Sequence, residues 1–153
     1  MKDILVGFFL GISFMIDIIF IHFLRMFNSN HCVVKGTRIL TEKGEKYVEE
    51  LSEGDILYNN SKVLKLKSSF MRGIYEINGE LKVSSTHLLL TNEGWKKAKH
   101  LKEGDFIFKL DKFILVNKVE KLRWSIGFMV YDVCVSNSHT FYANKYLTHN
   151  KSL

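Results

Sequence analysis

Apolar residues are distributed along this chain in two ways. Over residues 4–24, ILVGFFLGISFMIDIIFIHFL, they are nearly continuous, broken only by Ser13, Asp17 and His22 among the more polar types. As a helix at 1.5 Å per residue this run is about 30 Å long, the thickness of a bilayer core. It predicts a hydrophobic helix over residues 1–26 that anchors the chain in a membrane by a single pass. An uncleaved or atypical signal, and an amphipathic or buried helix, are the alternatives. A cleaved secretory signal fits less well, because Lys2 is cancelled by Asp3 and no small-residue cleavage site precedes Cys32. Asp17 in mid-span is costly and points either to a partner helix or to a tolerated defect. FNSNH, residues 27–31, reads as a short polar linker.

From residue 32 onward the apolar runs shorten to strand length, as in ILYN, KVLKLK, LKVS, FILVNKV and VYDVCV, with NNS, NGE and EGD between them. Short β-rich runs separated by turn residues predict an all-β domain. That domain contains a repeat at an offset of 50 residues. ILTEKGEKYVEELSEGDILY (39–58) aligns without gaps on LLTNEGWKKAKHLKEGDFIF (89–108), sharing Leu40/Leu90, Thr41/Thr91, Gly44/Gly94, Leu51/Leu101 and two Glu-Gly-Asp turns. Two such copies predict a pseudo-two-fold axis through a single core.

Charge and cysteine content narrow the function classes. The chain of 153 residues has a formal net charge of +6. Lys2 and Arg25 balance Asp3 and Asp17, so the excess lies beyond residue 31. It forms no run longer than two basic residues, and nucleic acid is not an expected partner. The charges flanking the apolar run leave its orientation open, with the lysines after residue 34 favouring a cytoplasmic β domain. Two cysteines, Cys32 and Cys134, are too few for a disulfide framework and lack the paired spacing of a zinc site, so neither metal nor cofactor is expected.

Three stretches carry candidate chemistry: CVVKGTRILTEKG from Cys32, VSSTHLLLT around Ser84 and His87, and VYDVCVSNSHTFYANKYLTHN with Asp132, His139, His149 and Asn150. In this order they resemble the sequence blocks of inteins and other Hedgehog/intein (Hint) domains, over residues 32–150. The resemblance implies a Hint horseshoe fold, and the short distance from His87 to Tyr131 leaves no room for a homing endonuclease. It also implies a single-turnover reaction on the chain's own polypeptide. Cys32 would take the acyl group of His31 from nitrogen to sulfur, making a thioester, and His87 would protonate the leaving nitrogen with a pKa in the neutral range. Ser84 stands where the family has Thr and would hold that geometry. Asp132 and His139 would pass protons between the two ends. Asn150 would close a succinimide and cut the Asn150–Lys151 bond, with His149 polarising the carbonyl or protonating the departing amine.

Splicing in this family needs Cys, Ser or Thr after the Asn, and this chain has Lys151, a poor acceptor while protonated. Cleavage at one or both ends is therefore expected over joining of 1–31 to 151–153, as in bacterial intein-like domains. Water or another nucleophile would take the acyl group. Asp132 and Cys134 are two apart on a strand and face one side, so Cys134 is either a small buried hydrophobe or a thiol able to pair with Cys32. A catalytically silent, membrane-tethered Hint scaffold serving as a binding module is the competing reading. A cysteine protease acting in trans has no support in this block order.

Overall fold

A computed structural model describes residues 15–19, 31–124 and 126–150. Among these, the alternating segments become β1 (Cys32–Val34), β2 (Arg38–Thr41), β3 (Gly44–Tyr47), β4 (Val63–Met71), β5 (Ile74–Ile77), β6 (Leu81–Ser84) and β7 (Leu88–Thr91). They continue as β8 (Gly94–Lys97), β9 (Phe106–Lys109), β10 (Lys112–Leu115), β11 (Val119–Leu122), β12 (Phe128–Val135), β13 (Thr140–Ala143) and β14 (Tyr146–His149). The expected all-β architecture is the one observed.

Helical backbone among the described residues is confined to 15–19 and to two 3₁₀ turns, Val48–Glu50 and Ala98–His100. The single-pass anchor, and the membrane localisation that rested on it, are corrected accordingly. No helix of the described residues is long and apolar enough to cross a membrane. The five described helical residues rise only about 7.5 Å against a hydrocarbon core of about 30 Å. The rest of the expected helix, 1–14 and 20–26, and the linker up to residue 30 lie outside the described residues, as do residues 125 and 151–153.

Two sheets share one main core. The first runs in the order β11-β5-β6-β1-β12-β4, the second β10-β9-β7-β14-β13-β2-β3 with β8 pairing β7. Val33, Val83 and Val133 of the first pack in one cluster with Ile39, Leu89, Ile107, Phe141 and Tyr146 of the second. Alternation along β1 and β12 sends the intervening residues the other way. Cys32 and Val130 accordingly form a smaller buried cluster with Ile74, flanked by Val34, Met71 and Phe128.

The repeat is visible bond for bond. Thr41 Oγ1 donates to Gly44 O at 2.7 Å, and Thr91 Oγ1 to Gly94 O at 2.7 Å. Lys46 pairs with Asp55 at 2.8 Å, and Lys96 with Asp105 at 3.1 Å. Gly54 and Gly104 sit at φ +93° and +94°, a conformation that L side chains rarely adopt, which explains a glycine in both Glu-Gly-Asp turns. The copies diverge where one was expected to extend: ILYN makes only isolated bridges at Ile56 and Leu57, whereas its counterpart is strand β9. Asn60, at φ 62°, turns the chain back at once, and Leu57 N donates to Ser61 O at 2.8 Å.

Val33 lies opposite Val83 in the antiparallel β1–β6 pair. These residues are 50 apart, the offset of the repeat, so the pseudo-two-fold axis passes between them. The C-terminal hairpin β13–β14 then enters between the copies, β14 pairing with β7 and β13 with β2. The ends of the chemistry-bearing segments meet because β12 seats beside β1 in the first sheet and the β13–β14 hairpin seats between the two copies in the second.

Candidate active site

Cys32 begins β1 and is fully buried. Its backbone N–H donates to Ser84 Oγ at 2.9 Å. That nitrogen is the one an acyl shift would expel, so Ser84 holds the atom that would leave. Ser84 is itself buried, and its hydroxyl is the acceptor that keeps the Cys32 amide from being stranded in the interior. Across the sheet, Cys32 faces Asp132 in β12.

His87 follows Ser84 through a tight turn in which His87 N donates to Ser84 O at 3.1 Å. Its counterpart in the first repeat is Thr37: Thr37 O accepts from Val48 N and His87 O from Ala98 N, at 2.9 and 2.8 Å. The ring is fully buried and meets Phe141 edge-on, centroids 6.2 Å apart. Neither ring nitrogen finds a hydrogen-bond partner among the described residues. Burial pushes the His87 pKa down to about 3, the His31 and His149 rings push the same way, and the neighbouring His31 backbone opposes them. The expected neutral-range acid is thus a neutral imidazole, because desolvation outweighs everything else acting on it.

At the other end Asn150 is buried, and its side-chain nitrogen donates to Asp132 Oδ1 at 2.8 Å and also to the carbonyl oxygen of Val133. Its backbone N–H donates to His139 O at 2.8 Å. His139 adopts a left-handed backbone, φ 55°, and its Nδ1 lies 3.0 Å from Val135 O. His149 ends β14 with its ring 6.2 Å from that of His139 and edge-on to Trp95 at 5.2 Å. Burial, and then His139, hold the His149 pKa below its usual value.

Cys32 and Cys134 are not joined in a disulfide. Cys134, expected as either a small buried hydrophobe or a thiol able to pair with Cys32, is partly buried and lies opposite Lys65 on β4. Burial and the nearby Asp132 carboxylate raise its pKa. Among the described residues no group of three or more His, Cys, Asp or Glu side chains could hold a metal ion.

The architecture has relatives among solved structures. The chain is similar to the gp41-1 intein at 26% identity and a TM-score of 0.68, covering 78% of this chain and 98% of that one. It is also similar to a bacterial intein-like domain from Clostridium thermocellum, at 24% identity and a TM-score of 0.71, covering 80% and 100%. The chain carries a Hint/intein domain. The MchDnaB-1 intein, at 21% identity and a TM-score of 0.65 over 77% and 99%, shares the fold. No protein-family model and no curated protein matches the sequence. The likeness supports a self-splicing or autoprocessing Hint domain.

Within this Hint domain, Cys32, Ser84, Asp132 and Asn150 form one connected set, with His139 joined to it through the Asn150 backbone. His149 precedes Asn150 in the chain and sets its ring against those of His139 and Trp95, and the buried His87 ring stands beside the set, near the His31 backbone. Two neighbours escaped sequence reasoning. Trp95 replaces Glu45 of the first repeat, and this break in the repeat was its signal. Lys67 lies opposite Asp132 on β4, and the Lys65-Leu66-Lys67 alternation was the only hint that two amines share a face.

Proposed function

We propose that residues 32–150 form an autoprocessing domain that acts once on its own chain, with residues 1–31 and 151–153 as its flanks. The observation that carries this reading is the position of Asp132: it faces Cys32 across β1–β12 and accepts the Asn150 side-chain nitrogen at 2.8 Å. One carboxylate therefore serves both scissile ends.

At the upstream end, the Cys32 thiol attacks the His31 carbonyl and the Cys32 nitrogen leaves. Ser84 orients that nitrogen, and neutral His87 acts as a hydrogen-bonding group in a dry site. At the downstream end, the Asn150 side-chain nitrogen attacks its own main-chain carbonyl and gives up a proton to Asp132. His149 serves the departing Lys151 amine, and a succinimide remains at Asn150. Lys151 offers no hydroxyl or thiol for joining the flanks, so cleavage is favoured over splicing, with water or another nucleophile resolving the Cys32 thioester.

Time-resolved intact-mass spectrometry of the full chain, with and without a small thiol, tests this reading beside Cys32→Ala and Asn150→Ala. The expected results are thiol-dependent release of 1–31, lost in Cys32→Ala, and loss of the residues after Asn150, lost in Asn150→Ala. A full-length mass unaltered by thiol in every sample, with no new N-terminus at Cys32 on peptide mapping, would overturn the reading in favour of a silent Hint scaffold.

A further inference from the structure

Asp132 has two cross-strand partners. In β1 it faces Cys32, and in β4 it faces Lys67. Residues directly opposite in antiparallel strands project to the same side, so Cys32, Asp132 and Lys67 form a transverse row across three strands. Lys67 is exposed and makes no ion pair with another described residue. The two Cα steps of such a row alternate between the wide and narrow antiparallel spacings and sum to about 10 Å. An extended lysine carries its amine about 6 Å from its Cα, so a Lys67 side chain folded along this face spans much of the row toward Cys32. The Lys65 and Lys67 ammonium groups already act on Cys134, the next residue of β12 on this face, lowering its pKa against the raising effects of burial and Asp132.

We propose that Lys67 is an internal acyl acceptor for the Cys32 thioester. This inference rests on the autoprocessing reading and names the nucleophile that resolves its first intermediate. The Lys67 ammonium passes a proton to Asp132, and the freed amine attacks the His31 carbonyl carbon. The carbon–sulfur bond breaks, a carbon–nitrogen bond forms to Lys67 Nζ, and the sulfur takes a proton as the Cys32 thiol. Cys32 keeps the free α-amine that the first step exposed. No water is consumed and no oxidant or reductant is required. The product is an isopeptide that holds residues 1–31 on the domain as a branch, at unchanged mass. An amide is more stable than a thioester, so the transfer runs downhill. A chain lacking the usual acceptor after Asn150 would thereby retain its upstream segment.

The test uses the full-length Asn150→Ala chain, incubated from pH 7 to 9, digested with trypsin and mapped by mass spectrometry. Residues 26–31 should be found attached to residues 66–72 with no cut at Lys67, together with a new N-terminal Cys32. Branching should rise severalfold or more with pH, because only the free amine is a nucleophile. Lys67→Arg keeps the charge and the edge-strand position but removes the nucleophile. It should abolish the branch and raise hydrolytic and thiol-dependent release of 1–31. A thioester trapped by thiol without any branch would overturn this inference and leave the autoprocessing reading standing. A branch that survives in Lys67→Arg, or maps to Lys65, would overturn it as well. Neither thiol-dependent release nor branch would defeat both.

Discussion

The Asn150 side-chain nitrogen is held 2.8 Å from Asp132 Oδ1, and Asp132 lies opposite Cys32 in the neighbouring strand. The group that would open the last bond and the group that would open the first are thus one residue apart across a sheet. Replacing Asp132 with Asn keeps the size and removes the proton acceptor. Loss of the residues after Asn150 should slow by about 10²-fold or more, the usual contribution of a positioned acid or base. Rates from intact-mass time courses check this, and an unchanged rate would remove Asp132 from the downstream step.

Ser84 gives a separate handle on the upstream step. Ser84→Ala leaves the Cys32 N–H without its acceptor in a dry interior, which costs about 1–3 kcal/mol. Thioester formation, read as thiol-dependent release of 1–31, should fall at least severalfold while the downstream cut is less affected. Ser84→Thr restores the hydroxyl and adds a methyl group at a buried position, where overpacking typically costs about 1–3 kcal/mol.

Acid sensitivity follows from His87. Its folded pKa of about 3 lies below its ordinary value, so the unfolded chain binds the proton more readily. The stability associated with the neutral ring is fully present above about pH 6.5 and is lost as the pH falls toward 3. Over that window the slope approaches about 1.4 kcal/mol per pH unit from this group alone. His149, also depressed, adds loss in the same direction. Denaturant midpoints measured across pH should show the fall, and His87→Gln should flatten it.

Trp95 covers His149 edge-on at 5.2 Å, and burial is the leading cause of the low His149 pKa. Trp95→Ala should move that pKa up toward the usual value near 6.5, observable as a shift in the His149 ring-proton titration by NMR. The downstream cleavage profile should shift in pH by the same amount. A His149 titration identical to that of the parent chain would show that the indole does not shield it.

The repeat predicts matched energetic effects. Gly54→Ala and Gly104→Ala place a Cβ where nothing lies within 4 Å, so the cost comes from backbone alone. Each should destabilise the domain by about 1–2 kcal/mol, and by similar amounts in thermal melts.

Much of this protein was legible in local patterns. Alternation and turn residues specified strands, and the 50-residue offset specified two related halves, because side-chain period and positive φ are properties of neighbouring residues. The order Cys32, Ser84, His87, Asp132, His139, His149, Asn150 carried the Hint resemblance for the same reason: it is a matter of which side chains occur in which order. The apolar run 4–24 was a weaker guide, since apolarity records an aversion to water and not which surface is buried, and no helix of the described residues is long and apolar enough to cross a membrane. Long-range contacts settled the rest. That Ser84 grips the Cys32 amide, that burial keeps His87 neutral, and that Lys67 stands in line with Asp132 all depend on strand register and desolvation. Both arise from groups far apart in the chain, 52 residues for Cys32 and Ser84 and 65 for Lys67 and Asp132, and no local pattern encodes them.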